Sequence, residues 1–168
     1  MKRLDIFLLC ATVSLYKPHE VCGGDCVAET LSEVDASFCH GGLEVIYPDL
    51  KISPCSIIPR GQSLRDKMTG EWGPPQVRLT NAEEGSDLKK GDLKGLVLSE
   101  YRRPTPPRST GLHRYQFMLF EQPADKTLSL SQEESSSLGN WDPQAFIQRF
   151  GLGRPLASVQ FLTQNPKD

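Results

Sequence analysis

A proline-stiffened loop that runs directly into a buried strand is the feature that most restricts what this chain can fold into. Residues 103–108 read Arg-Pro-Thr-Pro-Pro-Arg, and Gly111-Leu112-His113-Arg114-Tyr115 leads from them into the apolar run Gln116-Phe117-Met118-Leu119-Phe120. Proline holds one backbone torsion and removes an N–H donor, so the loop cannot join a helix interior or a central strand. Side chains two apart on a strand share a face. His113 and Tyr115 therefore set an imidazole and a phenol together at the mouth of the strand. Such a pair can grip an oxyanion. It is not by itself a catalytic unit, because no nucleophile of assigned geometry accompanies it.

At 168 residues the chain suits one domain. Nineteen Lys and Arg against 21 Asp and Glu give a net charge of -2, too little field to draw nucleic acid or an acidic membrane. Any anion site must be local. Residues 1–14 read as a secretory signal, with Lys2 and Arg3 before the apolar stretch 6–11, although Asp5 intrudes. The alternative is a buried N-terminal segment of a cytosolic protein. The stretch is too short to span a bilayer.

Removing that segment takes Cys10 away and leaves Cys22, Cys26, Cys39 and Cys55. An even set crowded into the N-terminal third fits disulfides formed in an oxidising compartment, with three pairings open. The rival is a metal site, since Cys22, Cys26 and the Cys39-His40 pair offer thiolates and an imidazole, but the paired short knuckles of zinc modules are absent. Neither a metal nor a cofactor is expected. Asn81, Asn140 and Asn165 are followed by residues unsuited to N-glycosylation.

Residues 15–42 look like a Cys-rich lasso with a helical turn near 28–34, residues 43–164 form the domain proper, and 165–168 form a tail that should fray. Alternation predicts strands over 43–47, 75–80, 96–101, 115–121 and 157–162. The charged, glycine-punctuated stretch 81–95 reads as a solvated loop. A helix is predicted over 143–150, with Asp142 as its cap, Pro143 at the first helical position and Gly151 just past its end. Phe146, Ile147 and Phe150 share its core face. Strands followed by a helix and a last strand argue a β-rich α+β domain.

The segments Leu98-Ser99-Glu100-Tyr101, Pro106-Pro107, Thr110-Gly111-Leu112-His113-Arg114-Tyr115, Phe120-Glu121-Gln122 and Phe146-Ile147-Gln148-Arg149-Phe150-Gly151 resemble the phosphatidylethanolamine-binding protein family. With its signal-like start and Cys-rich lead, the chain is most similar to a secreted member. The resemblance implies a β-sandwich with a C-terminal helix. The family's D-P-D-A-P-S-R and H-W motifs, which supply a carboxylate and a second imidazole to its anion pocket, have no counterpart here, so central strands are expected to be missing, as in an alternatively spliced form. In place of the family's small residues before the double proline stands Arg103-Pro104-Thr105, where Pro104 removes a backbone donor and Arg102, Arg103 and Arg108 add charge that can replace it through charge-assisted contacts.

What the resemblance implies is a non-enzymatic protein, secreted to the outside, with a lysosomal location as the alternative. It would hold phosphatidylethanolamine or another phosphate-bearing headgroup through His113, Tyr115, Pro106, Pro107 and Arg103, and modulate kinase signalling. Affinity should rise as pH falls towards about 6, where an imidazole gains charge. A second reading is a secreted serine protease inhibitor, whose stiff Arg-rich loop loses little entropy on binding. A third is a form with no independent activity because its sheet is broken. A Ser/His hydrolase is disfavoured, since Ser131, Ser135, Ser136 and Ser137 lie in a polar tract without a nucleophile-elbow pattern.

Overall fold

The computed structural model describes residues 6–16 through their backbone, and residues 30–60, 63–136 and 141–168 with their side chains. The larger sheet contains β1 (Ile6–Tyr16), β6 (Leu112–Glu121), β7 (Ala157–Thr163) and β4 (Ser56–Ile57), in the order β1-β6-β7-β4. The smaller has β2 (Leu43–Tyr47) between β3 (Leu50–Ile52) and β5 (Gln76–Leu79). Neighbours are antiparallel except β4 and β7.

Alternation along β2 and β6 explains how the two sheets meet. Leu43, Val45 and Tyr47 face one way on β2, and Tyr115, Phe117 and Leu119 share a face of β6. Together with Val159 and Phe161 of β7 they form one core. The opposite face of β6 carries Met118 and Phe120, which pack with Phe146 in a second core. Strand β7 lies between the two cores, and all seven of its residues are buried. A strand covered on both faces loses the polar alternation that a half-exposed strand shows.

That second face also holds a buried polar network. Helix α1 (Glu33–Ser37) is capped by Ser32 and lays Asp35 against the sheet. Arg114 of β6 grips this carboxylate with two bonds, Nε to Oδ1 at 2.5 Å and Nη2 to Oδ2 at 3.1 Å. The buried Gln160 amide of β7 donates to Asp35 Oδ1 at 2.9 Å. The Arg114 guanidinium lowers the Asp35 pKa, and burial opposes it. Removing one partner of such a pair costs about 3–5 kcal/mol, because it strands a desolvated charge. A Cys39–Cys55 disulfide ties the end of the α1 region to the lead into β4.

Helix α5 (Pro143–Phe150) forms over the predicted residues. Asp142 Oδ1 accepts from the N–H groups of Gln144 and Ala145 at 2.9 and 3.2 Å, and Gly151 closes the helix at φ 64°, a left-handed torsion that suits glycine. Phe146 is fully buried, and Ile147 and Phe150 pack on the same core.

Other expectations need correction. Residues 96–101 do not form a strand: they run as irregular backbone, with Leu96 and Val97 exposed, because no described strand pairs with them. Within the supposed loop, residues 87–90 form the short helix α3 (Asp87–Lys90), capped by Ser86 and by Gly91 at φ 75°. Residues 50–60 hold β3 and β4, and residues 63–73 hold the helix α2 (Leu64–Asp66), which widens into a π-turn over Lys67–Glu71. A last helix, α4 (Gln132–Ser136), precedes α5. The apolar start supplies an edge strand, β1, paired along β6. Cys22 and Cys26 lie outside the described residues, as do residues 1–5 of the proposed signal. Since Cys39 is bonded to Cys55, it cannot serve as a thiolate ligand in the alternative metal reading. The tail is tied down, through contacts described below.

Candidate functional site

The proline loop is held to the body at nearly every second residue. At its start, the Tyr101 hydroxyl lies 2.9 Å from that of Tyr47, whose ring stacks on Trp72. Next, Arg103 Nε donates to the Trp72 carbonyl at 2.6 Å. The Asn165 amide donates to the Pro106 carbonyl at 2.9 Å, and the Thr110 hydroxyl donates to that of Pro107 at 2.8 Å. Ser109, in a left-handed conformation at φ 59°, donates its N–H to the Asp168 carboxylate at 3.0 Å. Pro104 and Pro106 are buried, which turns Thr105, Pro107 and Arg108 outward. The carbonyls of Pro106 and Pro107, which have no ladder partner, have each found a side-chain donor.

His113 stands behind the loop. Its Nε2 is 2.6 Å from Thr110 Oγ1. The Thr110 proton goes to the Pro107 carbonyl, so its oxygen accepts, and Nε2 of His113 carries the hydrogen. This assignment leaves Nδ1 as the acceptor of the neutral ring. Burial lowers the His113 pKa. The ring is therefore neutral at pH 7, and a neighbouring anion would favour its protonation.

Between the loop and the tail lies an open cleft of about 420 Å³. Pro106, Pro107 and Pro166 form its apolar wall, Thr69 and Thr105 bring hydroxyls, and Arg108 and Lys167 bring positive charge. No carboxylate lines it among the described residues. Apolar walls with a few convergent polar groups make up the usual chemistry of a small-ligand site.

The predicted residues divide. Pro106 and Pro107 line the cleft, and His113 reaches Pro107 through Thr110. Tyr115 is 6 % exposed and stacks on Phe161 with ring centroids 5.3 Å apart, so its ring belongs to the core between the sheets. Arg103 is aimed at the Trp72 and Glu71 carbonyls. Thr69, Asn165 and Lys167 were not legible as site residues, because only tertiary folding brings the π-turn and the tail to the loop. Arg108, expected from the sequence as replacement charge, lines the cleft, and Thr105 sat inside the loop motif without being singled out.

The model of the family described as phosphatidylethanolamine-binding protein matches residues 30–160. The chain belongs to this family. A Drosophila melanogaster protein described as "Putative odorant-binding protein A5" is 33% identical over 74 residues, which is 41% of this chain and 34% of that protein. The chain thus spans about a third of that relative's length. A structure titled "CG7054 solution structure" superposes with a TM-score of 0.50 at 24% identity, covering 74% of this chain and 84% of the other. That likeness concerns the fold: a mixed α/β arrangement with small sheets. Among the described residues no helix is long and apolar enough to cross a membrane.

Proposed function

We propose that the protein is a non-enzymatic receptor for anionic, phosphate-bearing headgroups of the phosphatidylethanolamine kind, bound at the cleft beside the proline loop. One observation carries the reading: a pinned loop and the tail bonded to it set Arg108 and Lys167 on an apolar cleft, and Thr110 and Pro107 connect that cleft to His113. Cations meet the phosphate, the proline wall meets the organic part, and a pre-ordered loop limits the entropy lost on binding. Family membership supports ligand binding as the role. Modulation of kinase signalling, and the likeness to a secreted member lacking central strands of a sandwich, extend that reading by resemblance. Export, to the outside or to a lysosome, is supported by the signal-like start and by a disulfide that an oxidising compartment would preserve. Cleavage near residue 14 would remove β1 from β6, so N-terminal sequencing of the protein from medium decides between leader and strand.

The test of the receptor is a calorimetric titration with phosphoethanolamine at pH 6 and pH 7.5, followed by histidine NMR. Tighter binding at pH 6, with the His113 signal moving and Arg108→Ala weakening it by about tenfold, is the expected result. No heat at either pH, with dispersed spectra, overturns the receptor; collapsed dispersion supports the form without independent activity.

A second reading is favoured by the exposed Arg108 on the same pinned loop, which suits insertion into a trypsin-like pocket. Inhibition of such an enzyme that survives His113→Ala and is lost with Arg108→Ala would establish it.

A further inference from the structure

Thr105 is the exposed residue between two buried prolines, so the loop pushes its hydroxyl outward. That hydroxyl bonds to no described residue. A residue before proline is driven into extended backbone, so Pro106 holds Thr105 in the conformation in which peptide segments enter kinase clefts. The order is Thr105-Pro106-Pro107-Arg108, a hydroxyl followed at once by proline and three residues on by a base. Thr105 also lines the cleft that contains Arg108 and Lys167. The charged side chains on that cleft are both cationic. Asp168, one residue beyond Lys167, is occupied by the Ser109 N–H.

We propose that Thr105 is a phosphoacceptor for a proline-directed kinase, and that the phosphate it gains is held in the cleft by Arg108 and Lys167. In the transfer, Thr105 Oγ1 attacks the γ-phosphorus of a magnesium-bound nucleoside triphosphate. The new O–P bond forms as the bond to the bridging β–γ oxygen breaks, the hydroxyl proton passes to the kinase's base, and nucleoside diphosphate leaves. A phosphothreonine carries nearly two negative charges and three strong acceptors, which suit the side chains of Arg108 and Lys167, neither of which is paired with a described residue. Tethered beside the cleft, it competes with a free headgroup at high effective concentration. This last consequence rests on the receptor reading above, and makes Thr105 its switch; the modification itself goes with retention of β1 on β6, the alternative to a cleaved leader, which leaves the chain where a kinase and ATP can reach it.

The experiment incubates the purified full chain with a proline-directed kinase that prefers a base three residues on, and with magnesium ATP, and maps phosphate by mass spectrometry. One phosphate on Thr105 is expected, absent from Thr105→Val. Phosphorus NMR should then show the phosphate titrating below its ordinary value of about 6, and moving part of the way back in Lys167→Ala, where Arg108 alone remains. Phosphorylation of a free peptide covering 101–111 but not of the folded chain overturns the proposal, as does a titration unmoved by Lys167→Ala. In a separate arm, phosphoethanolamine should bind the phosphorylated chain about tenfold more weakly than the unmodified one. Failure of the unmodified chain to bind would sink the receptor reading, while the mass and phosphorus spectra still judge the modification.

Discussion

Two irregular stretches follow one another in this chain, and they are held very differently. Residues 92–97 carry Leu93, Leu96 and Val97 into solvent and are tied by Lys94 to Asp87 and Asp92 at exposed positions, interactions that contribute little, and only Leu98 after them packs on the second core. Residues 101–110 have no more regular structure, yet side-chain bonds reach them from β2, from the tail and from within the loop, and one of their own side chains grips the π-turn. Order in a loop thus comes from where its carbonyls and side chains find partners. Secondary structure has no part in it. The pinned stretch is also the one that lines the cleft, as expected where a rigid frame must present ligand-binding groups.

The strongest way to break this contrast is Trp72→Ala. Trp72 is 7 % exposed, stacks on Tyr47 at 5.4 Å, and sets the carbonyl that Arg103 holds. Losing it should cost about 3–5 kcal/mol in urea unfolding. Amide exchange over 101–110 should rise, while that over 92–97 stays fast and unchanged. Asn165→Ala removes the Pro106 anchor and should cost about 1 kcal/mol. Exchange should again change in the pinned stretch alone; equal changes in both would show that the two move as one unit.

A smaller effect belongs to His113, which is half-buried. Its folded-state pKa is lowered from 6.5 by burial, so as pH falls the unfolded chain takes up the proton first. The stability it contributes is full above about 6.5 and is lost as pH drops through the folded value. Urea midpoints measured from pH 7.5 to 5 should fall, and His113→Gln should flatten that fall; an unchanged slope would place the titrating group elsewhere. The smallest effect is expected of Leu96→Ser and Val97→Ser, which should alter stability by no more than about 0.5 kcal/mol because both side chains are already exposed. A larger loss in either would show that the stretch is covered in solution.

Local chemistry was readable wherever it was complete within a few residues. The helix over 143–150 carries its own cap, its own opening proline and its own terminating glycine, so no distant contact was needed to foresee it. Strands 43–47 and 157–162 could be read from their β-branched and aromatic content. The same reasoning failed at residues 96–101, whose composition suits a strand, because a strand also needs a neighbour to bond. It failed in the opposite direction at 87–90, where Ser86 and Gly91 cap a helix of four residues that charge alone disguised. For Tyr115, the two-residue period correctly put it on the His113 face. What that period could not show is that this face passes from the cleft edge into the core within one step.

The amino-acid sequence alone determined the family pattern, the proline loop, the helix with its caps and the set of cysteines from which a bridge could be drawn, since each depends on neighbours along the chain. Tertiary structure alone decided that Cys39 pairs with Cys55, that Arg114 finds Asp35, and that Asn165, Lys167 and Thr69 meet the loop to close a cleft. The physical reason is distance along the chain. Those groups are separated by 16 to nearly 100 residues, and only the packing of two sheets about a common core brings them within reach of one another.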